Sequence, residues 1–478
     1  MRNHALIVAT KELRELLVTG RFQAAAALVF GLVAATLAVM TRSHARSLEE
    51  YGIAEAARLE SLRQDGHLNR AMAWAAPEPP SALSILGGGP ADAGMGWFHI
   101  DALSLAYPPA TLIMVIGVVL SLVAVLFAHD AITGERERGT LRLLVSGAAS
   151  RGSVLMGKLA GRFMALMIPL IAGLMAGSLV LALSRDVGWG ISDTAVLVIL
   201  TLVAMLFLAV FVALGLVVSA WTHTTHTSLA TGLLVWAVFV LVVPSVAPYA
   251  AAALSPTGNL ALHQRELLVI MDTERDALIE ELQAEWQAPL LERHPEVRAY
   301  YELAPDQQAA AKAADPELDR VVARLSAIAD TAIWAANQRQ LEKRNRLDRD
   351  FGARSEAQIR LTSRLASASP YAAFVLAGLD LSERGPRAQA RRKQQHLQWF
   401  ESTYQPWVFT LADSLRTAHG SFDTNRRTDL SSMPAFAYAS EPVPDRVRAM
   451  LPPLGSLTGF VALFMFLGLV GFRRYDVR

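Results

Sequence analysis

Six blocks of this sequence are apolar for long enough to cross a lipid bilayer, and no other feature restricts the fold as strongly. A helix rises 1.5 Å per residue, so about 20 apolar residues cover a hydrocarbon core of about 30 Å. The blocks run over about residues 22–40, 109–128, 163–183, 195–220, 228–247 and 454–472, and none has Asp, Glu, Lys or Arg in its middle. Backbone polar groups in lipid must be bonded within the chain, so each block is expected to be a helix. Composition agrees: 53% of residues are hydrophobic and 18% charged, where a soluble chain carries about a quarter charged. A net charge of +1 is too small to point to nucleic acid as a partner. The absence of cysteine removes disulfides, thiolate metal sites and cysteine nucleophiles.

The expected fold is therefore an all-α polytopic membrane protein with six transmembrane helices. Residues 1–21 are expected as an amphipathic interfacial helix. Leu6, Ala9, Leu13, Leu16 and Leu17 share one face of it, and Lys11, Glu12, Arg14 and Glu15 the other. A short basic leader would mark a cleaved signal peptide; this pattern instead reads as a retained segment before a first span.

Lys and Arg in the connections set the orientation. Arg2, Lys11, Arg14 and Arg21 precede the first span. Arg136, Arg138, Arg142, Arg151, Lys158 and Arg162 join the second to the third, and Arg473, Arg474 and Arg478 end the chain. An even number of spans places all three groups on one side, expected to be the cytoplasm; the connection of spans three and four carries only Arg185. Residues 41–108 and 248–453 then face outward. The first of these contains a loop-like stretch, Gly87-Gly88-Gly89-Pro90. In the second, Leu267, Met271, Leu278 and Leu282 recur near helical spacing, and Pro289, Pro295, Pro305 and Pro316 break the pattern, which predicts an antiparallel helical hairpin over about 259–361. The prolines argue against a single coiled coil.

The densest chemistry lies in 129–162. Asp130-Ala-Ile-Thr-Gly-Glu-Arg-Glu-Arg-Gly-Thr-Leu-Arg-Leu-Leu144 packs charges and a glycine between two spans before apolar residues resume. Such a segment suits a short helix docking into a partner's groove, and equally a solvated loop with i,i+4 ion pairs. Physics alone leaves both open. The run Asp130-x-Ile-Thr-Gly-Glu-Arg-Glu-x-Gly-Thr-Leu, with Ser150-Arg151 and Gly157-Lys158 entering the next span, resembles the signature of ABC-2 type permeases. Phe472-Arg-Arg-Tyr-Asp-Val-Arg478 and the stretch Ser369 to Phe400 are similar to a subgroup with a large extracytoplasmic domain between the last two spans. The helical insertion around 259–361 has no counterpart in this resemblance.

The resemblance implies a permease subunit in the bacterial inner membrane with both termini cytoplasmic. It implies pairing with a second permease copy or a homologue, and separate ABC ATPase subunits that bind ATP and Mg, with no cofactor in this chain. The segment around Glu135, Arg136, Glu137, Arg138, Gly139, Thr140, Leu141 and Leu144 would be the coupling helix. In it Glu135, Glu137 and Arg138 would touch the ATPase, Gly139 would allow the turn, and Leu141 and Leu144 would seat in its groove. Lysine at Glu135 or Glu137 is then expected to leave the chain folded and inserted but uncoupled.

Other motifs carry less. Gly152-Ser-Val-Leu-Met-Gly157-Lys158 imitates a phosphate loop, but Leu159 stands where Ser or Thr would hold magnesium and a span follows. His223 and His226, three apart, lack further ligands for a metal, and His263, His294 and His396 are scattered. Gly173, Gly177, Ser178, Ala209, Ala213 and Gly215 permit close helix packing. With no intramembrane charge marking a polar route, a transported molecule is expected to be apolar or amphipathic. Rival readings are a membrane-anchored scaffold or sensor whose outward domain binds a periplasmic protein, and a membrane enzyme, for which no convergent polar groups stand out.

Overall fold

The computed structural model describes residues 2–64, 66–67, 79–87, 111–141, 150–184, 187–257, 260–415 and 426–474. Among them, six helices are long and apolar enough to cross a membrane: Gly20–Gln64, Leu112–Glu137, Arg151–Leu183, Ile191–Trp221, Thr225–Leu254 and Leu451–Arg473. The fourth is the centre of the bundle and touches the second, third, fifth and sixth. The first, fifth and sixth lie at its margin, with little of their apolar windows buried. Glycines set the closest approaches. A Cβ at Gly173 would lie 3.0 Å from Phe30 O and from Val33 Cβ, and one at Gly177 would meet Leu37 at 2.5 Å, so the first and third spans meet along a small-residue face.

The helix α1, Arg2–Leu17, lies against the start of the third span. Its inward face is Val8, Ala9 and Glu12. Leu6, expected on the same face as Ala9, is exposed together with Ile7. A charged residue thus occupies the protein-facing side, and a leucine turns away from it. The first span continues well past residue 40, to Gln64, so the first part of the 41–108 segment, expected as a connection outside the spans, is a continuation of the helix. Nothing in 41–64 breaks it: the stretch has no proline, and Arg58 pairs with Glu55 one turn earlier. Residues 88–90 of the expected glycine-rich loop lie outside the described residues.

The second span ends its long run at Ala128, turns, and resumes as α2, Thr133–Glu137. Beyond the fifth span come α3, Leu260–Glu281, and α4, Pro316–Ala366. Three ties fix them as antiparallel partners: His263 with Asp348, Glu274 with Lys343, and Glu281 with Arg339. Pro295, Pro305 and Pro316 each sit in the first turn of a helix, where a missing N–H costs nothing. These short helices fold back on the start of α4 through Val297, Tyr300, Leu318, Val322 and Leu325.

Further helices follow on this side. α5, Pro370–Leu381, is a 12-residue apolar helix buried among the second, fourth, fifth and sixth spans. At about 18 Å it is too short to cross a bilayer. Its Phe374 stacks on Phe207 at 4.4 Å. The turn that follows holds Glu383 at φ 55, a conformation that costs a non-glycine residue free energy. Arg446 pairs with the Glu383 carboxylate at 3.2 Å and also donates to Leu381 O. Glu441 N donates to the same carboxylate. α6, Pro386–Trp399, then leads away.

The hairpin offers a direct contrast between surface charge and packing. Lys343→Ala removes an exposed pair worth at most about 1 kcal/mol. Phe351→Ala removes a buried ring stacked 4.2 Å from His263, at a cost of about 3–5 kcal/mol. Hydrogen exchange across 260–281 is expected to accelerate strongly in the second variant and hardly change in the first.

Candidate functional site

At the end of the bundle that carries α1 and α2, charged side chains come together, and Glu12, Glu135, Lys158 and Arg162 are out of solvent. Lys158, in the second turn of the third span, is 1% exposed. Its Nζ lies 2.5 Å from Glu12 Oε1 and 2.8 Å from Glu135 Oε1. Arg162, one turn on, reaches Glu12 Oε2 at 3.2 Å and Asp130 Oδ1 at 2.6 Å. It also donates to Phe127 O. Lys11 approaches Glu135 from the solvent side at 3.8 Å. Three cations therefore meet three carboxylates drawn from α1, the second span with α2, and the third span. Burial pushes the Glu12 carboxyl up, but Arg162 and Lys158 beside it outweigh that and hold it below the usual carboxylate range.

α1 reaches this position because the third span is smooth beneath it. A Cβ at Gly157 would lie 2.6 Å from Val8 Cβ, and one at Gly161 would lie 2.6 Å from Ala9 O. The glycine and lysine of the phosphate-loop imitation thus serve packing and charge pairing.

The segment 130–141 is built on this cluster. Ser219 of the fourth span accepts hydrogen bonds from Ile132 N at 3.0 Å and Thr133 N at 3.1 Å, capping α2 from a neighbouring helix. Glu137 accepts from Thr225 N and Thr225 Oγ1, both at 2.7 Å, so a carboxylate closes the start of the fifth span, where the helix dipole favours negative charge. Arg136 donates to Thr222 O, and Ser228 donates to His129 O at 2.6 Å. Gly139 turns the chain at φ 71, with open space around it. Leu141 is fully buried in a cluster with Ala131, Ile132, Val154, Leu155, Leu216 and Phe472. The tail joins the same cluster: Arg151 donates to Arg473 O at 2.7 Å, and Arg474 lies over the Trp221 ring.

The residues expected in the coupling helix therefore divide. Glu137, Arg138, Gly139 and Thr140 form an exposed turn, and Arg136 is half-buried. Glu135, expected to touch a partner, is 5% exposed and paired inside the chain. Leu141, expected in a partner's groove, is covered by this chain's own residues. Glu135 lies on the side of α2 that meets Lys158 of the third span, and Leu141, beyond the Gly139 turn, folds back onto Val154, Leu155, Leu216 and Phe472. Leu144 lies outside the described residues. His223 is exposed on the turn before the fifth span, and His226 is exposed in that span's first turn. Glu12, Asp130, Lys158, Arg162 and Ser219 went unassigned in the sequence. The available signal was a pair of cations four residues apart at the mouth of an apolar span.

An all-helical bundle with six membrane-crossing helices, a charged clasp at one end and a short helix outside the spans defines a multi-pass membrane protein. The chain belongs to the ABC-2 family transporter proteins, whose family model matches residues 6–333. It is 31% identical over 170 residues to the "Probable ABC transporter permease protein NosY" of Stutzerimonas stutzeri, covering 31% of this chain and 56% of that protein. Against the protein of the same description from Pseudomonas aeruginosa it is 30% identical over 169 residues, with the same shares covered. The chain thus spans about half the length of the curated relatives it matches.

Removing one partner of a buried pair strands the other. Glu135→Lys places a second ammonium beside Lys158 and is expected to cost about 3–5 kcal/mol, read as a lowered unfolding temperature in detergent. The depressed Glu12 pKa carries a pH dependence of defined sign. Its contribution to holding α1 is complete above the ordinary carboxylate pKa of about 4.3 and is lost as pH falls through the lower folded value. Hydrogen exchange of α1, corrected for intrinsic rate, is expected to rise in that acid window, and Glu12→Gln to abolish the transition.

Proposed function

We propose that this chain is the non-catalytic permease subunit of an ATP-driven ABC-2 type transporter in a bacterial inner membrane. The observation that carries the reading is the exposed turn Glu137–Thr140, held at the end of the bundle by bonds to three spans. Membership of the family and the permease description of the relatives supply the class.

In this reading both termini and α2 face the cytoplasm, in accord with the Lys and Arg bias of the connections. Two ATPase subunits bind ATP and Mg, and each docks against the 137–140 turn of one permease copy. Arg138 supplies an exposed charge for the partner, Gly139 lets the backbone approach it, and Thr140 presents a hydroxyl. Glu135 and Leu141 act one layer deeper, fixing the turn to the spans. Force from closure of the ATPase pair enters at the turn and reaches three spans at once, because Glu137, Ser219 and Lys158 belong to a single bonded unit. The spans answer by export of a substrate or by transmitting force to the outward helices.

The test is co-purification of the tagged chain in mild detergent, with ATP hydrolysis assayed in what accompanies it. Arg138→Glu is expected to weaken ATPase association about tenfold or more while leaving the unfolding temperature unchanged. A chain that purifies without any ATPase, or an Arg138→Glu variant that keeps full association, would overturn the reading. Recovery of a periplasmic protein instead would favour the scaffold or sensor.

A further inference from the structure

Two of the six spans depart from α-helical winding, and both do so where they meet α5. Val115–Leu120 of the second span and Val238–Val242 of the fifth are π-helical, and both contact α5. A π turn holds an extra residue and interrupts the i→i−4 ladder, so it persists only where its surroundings support it. Here side-chain hydroxyls bond to carbonyls within the turns. Ser121 Oγ donates to Gly117 O at 2.5 Å. Ser369, the residue that caps α5, donates to Phe239 O. Trp236 Nε1 donates to Ser121 Oγ at 2.9 Å and ties one π-bearing span to the other.

The shapes match as well. Gly117 lies under the Tyr371 ring, whose Cε2 would be 2.6 Å from a Cβ there. Gly378 receives Ile113 in the same way. At their other ends these two spans are joined again, through Glu137 to Thr225 and through Ser228 to His129 O. One pair of helices thus carries the exposed turn at one end and the bed of α5 further along, eleven residues from Gly117 to Ala128, or about 17 Å.

We propose that α5 and the two π turns form a two-state seat that is mechanically linked to the 137–140 turn. With α5 seated, Ser369 and Tyr371 hold both turns in π form. When α5 withdraws, the turns rewind toward α-helix, and the remaining part of each span rotates with the segment 129–141 attached to it. The linkage is reciprocal, so movement of the exposed turn loosens the seat. The source of that movement rests on the permease reading; the seat itself does not.

The chain has no cysteine, so a pair of introduced thiols has no competitors. A Cβ at residue 378 would lie 3.1 Å from Ile113 Cγ1 and 3.5 Å from its Cγ2, which brings thiols at 113 and 378 within disulfide reach. The experiment uses the full chain with Ile113→Cys and Gly378→Cys, in lipid nanodiscs without any ATPase. Hydrogen exchange of residues 131–141 and 222–228 is compared between oxidised and reduced samples. Locking α5 is expected to slow exchange in both segments about fivefold or more. Trp236→Phe, which keeps the ring but loses the bond to Ser121, is expected to accelerate exchange at 115–121 and at 131–141 together. A formed disulfide that leaves 131–141 unchanged would overturn the proposal. So would a Trp236→Phe effect confined to the π turns, and this single variant decides the matter if the paired one does not fold. A linked response in a chain that never co-purifies with an ATPase would keep the seat and overturn the permease reading alone.

Discussion

Lys158 keeps an ammonium at the mouth of an apolar span with almost no access to water. A charge in that position is tolerated only if carboxylates meet it at contact distance. The two that do, Glu12 and Glu135, come from opposite sides: one from α1 and one from the short helix after the second span. The requirement to neutralise one lysine therefore brings together three parts of the chain that sequence distance separates. Arg162 repeats the arrangement one turn on with Glu12 and Asp130. The exposed turn 137–140 follows directly on the short helix that these pairs tie to the third span.

The same economy of polar groups appears at several helix starts and at one π turn. In lipid, an unsatisfied backbone group has no water to turn to. At these places the chain supplies partners from other helices. Ser219 caps α2, Glu137 closes the fifth span, and Ser369 caps α5 while bonding to a carbonyl of a π turn. Each bond satisfies a terminus or carbonyl and also joins two elements. Local backbone chemistry thus becomes long-range connection, without a dedicated polar core.

Much of this was open to inspection in the sequence, and the division is physical. Six apolar blocks determine six helices because lipid permits little else, and Gly139 announces a turn that the structure places at positive φ. Pro295, Pro305 and Pro316 mark helix starts for the same local reason. Partner choice was not open. Glu135 and Glu137 look alike in a run of alternating charges, yet one is buried against Lys158 and the other bonds Thr225 on the surface. The difference depends on which side of a five-residue helix faces the third span, and spacing within the segment does not encode that. Glu12 was misread for a related reason. An amphipathic helix beside lipid has two apolar environments, bilayer and protein, and the larger residue Leu6 took the outward side while Ala9 took the inward one.

The pairing of glycines with charges under α1 has a further consequence. Gly157 and Gly161 leave notches in the third span, and Val8 and Glu12 of α1 sit over them. These close contacts and the ion pairs favour the same position of α1. A shift by one helical turn, about 5.4 Å, would carry Glu12 away from Lys158 and leave that ammonium with fewer partners in a dry site. The ion cluster need not add much net stability, since desolvation offsets most of its attraction. What it adds is register: one position of α1 satisfies the charges, and neighbouring positions do not. A contact that is close at the glycines and indexed by charge holds α1 at one fixed height.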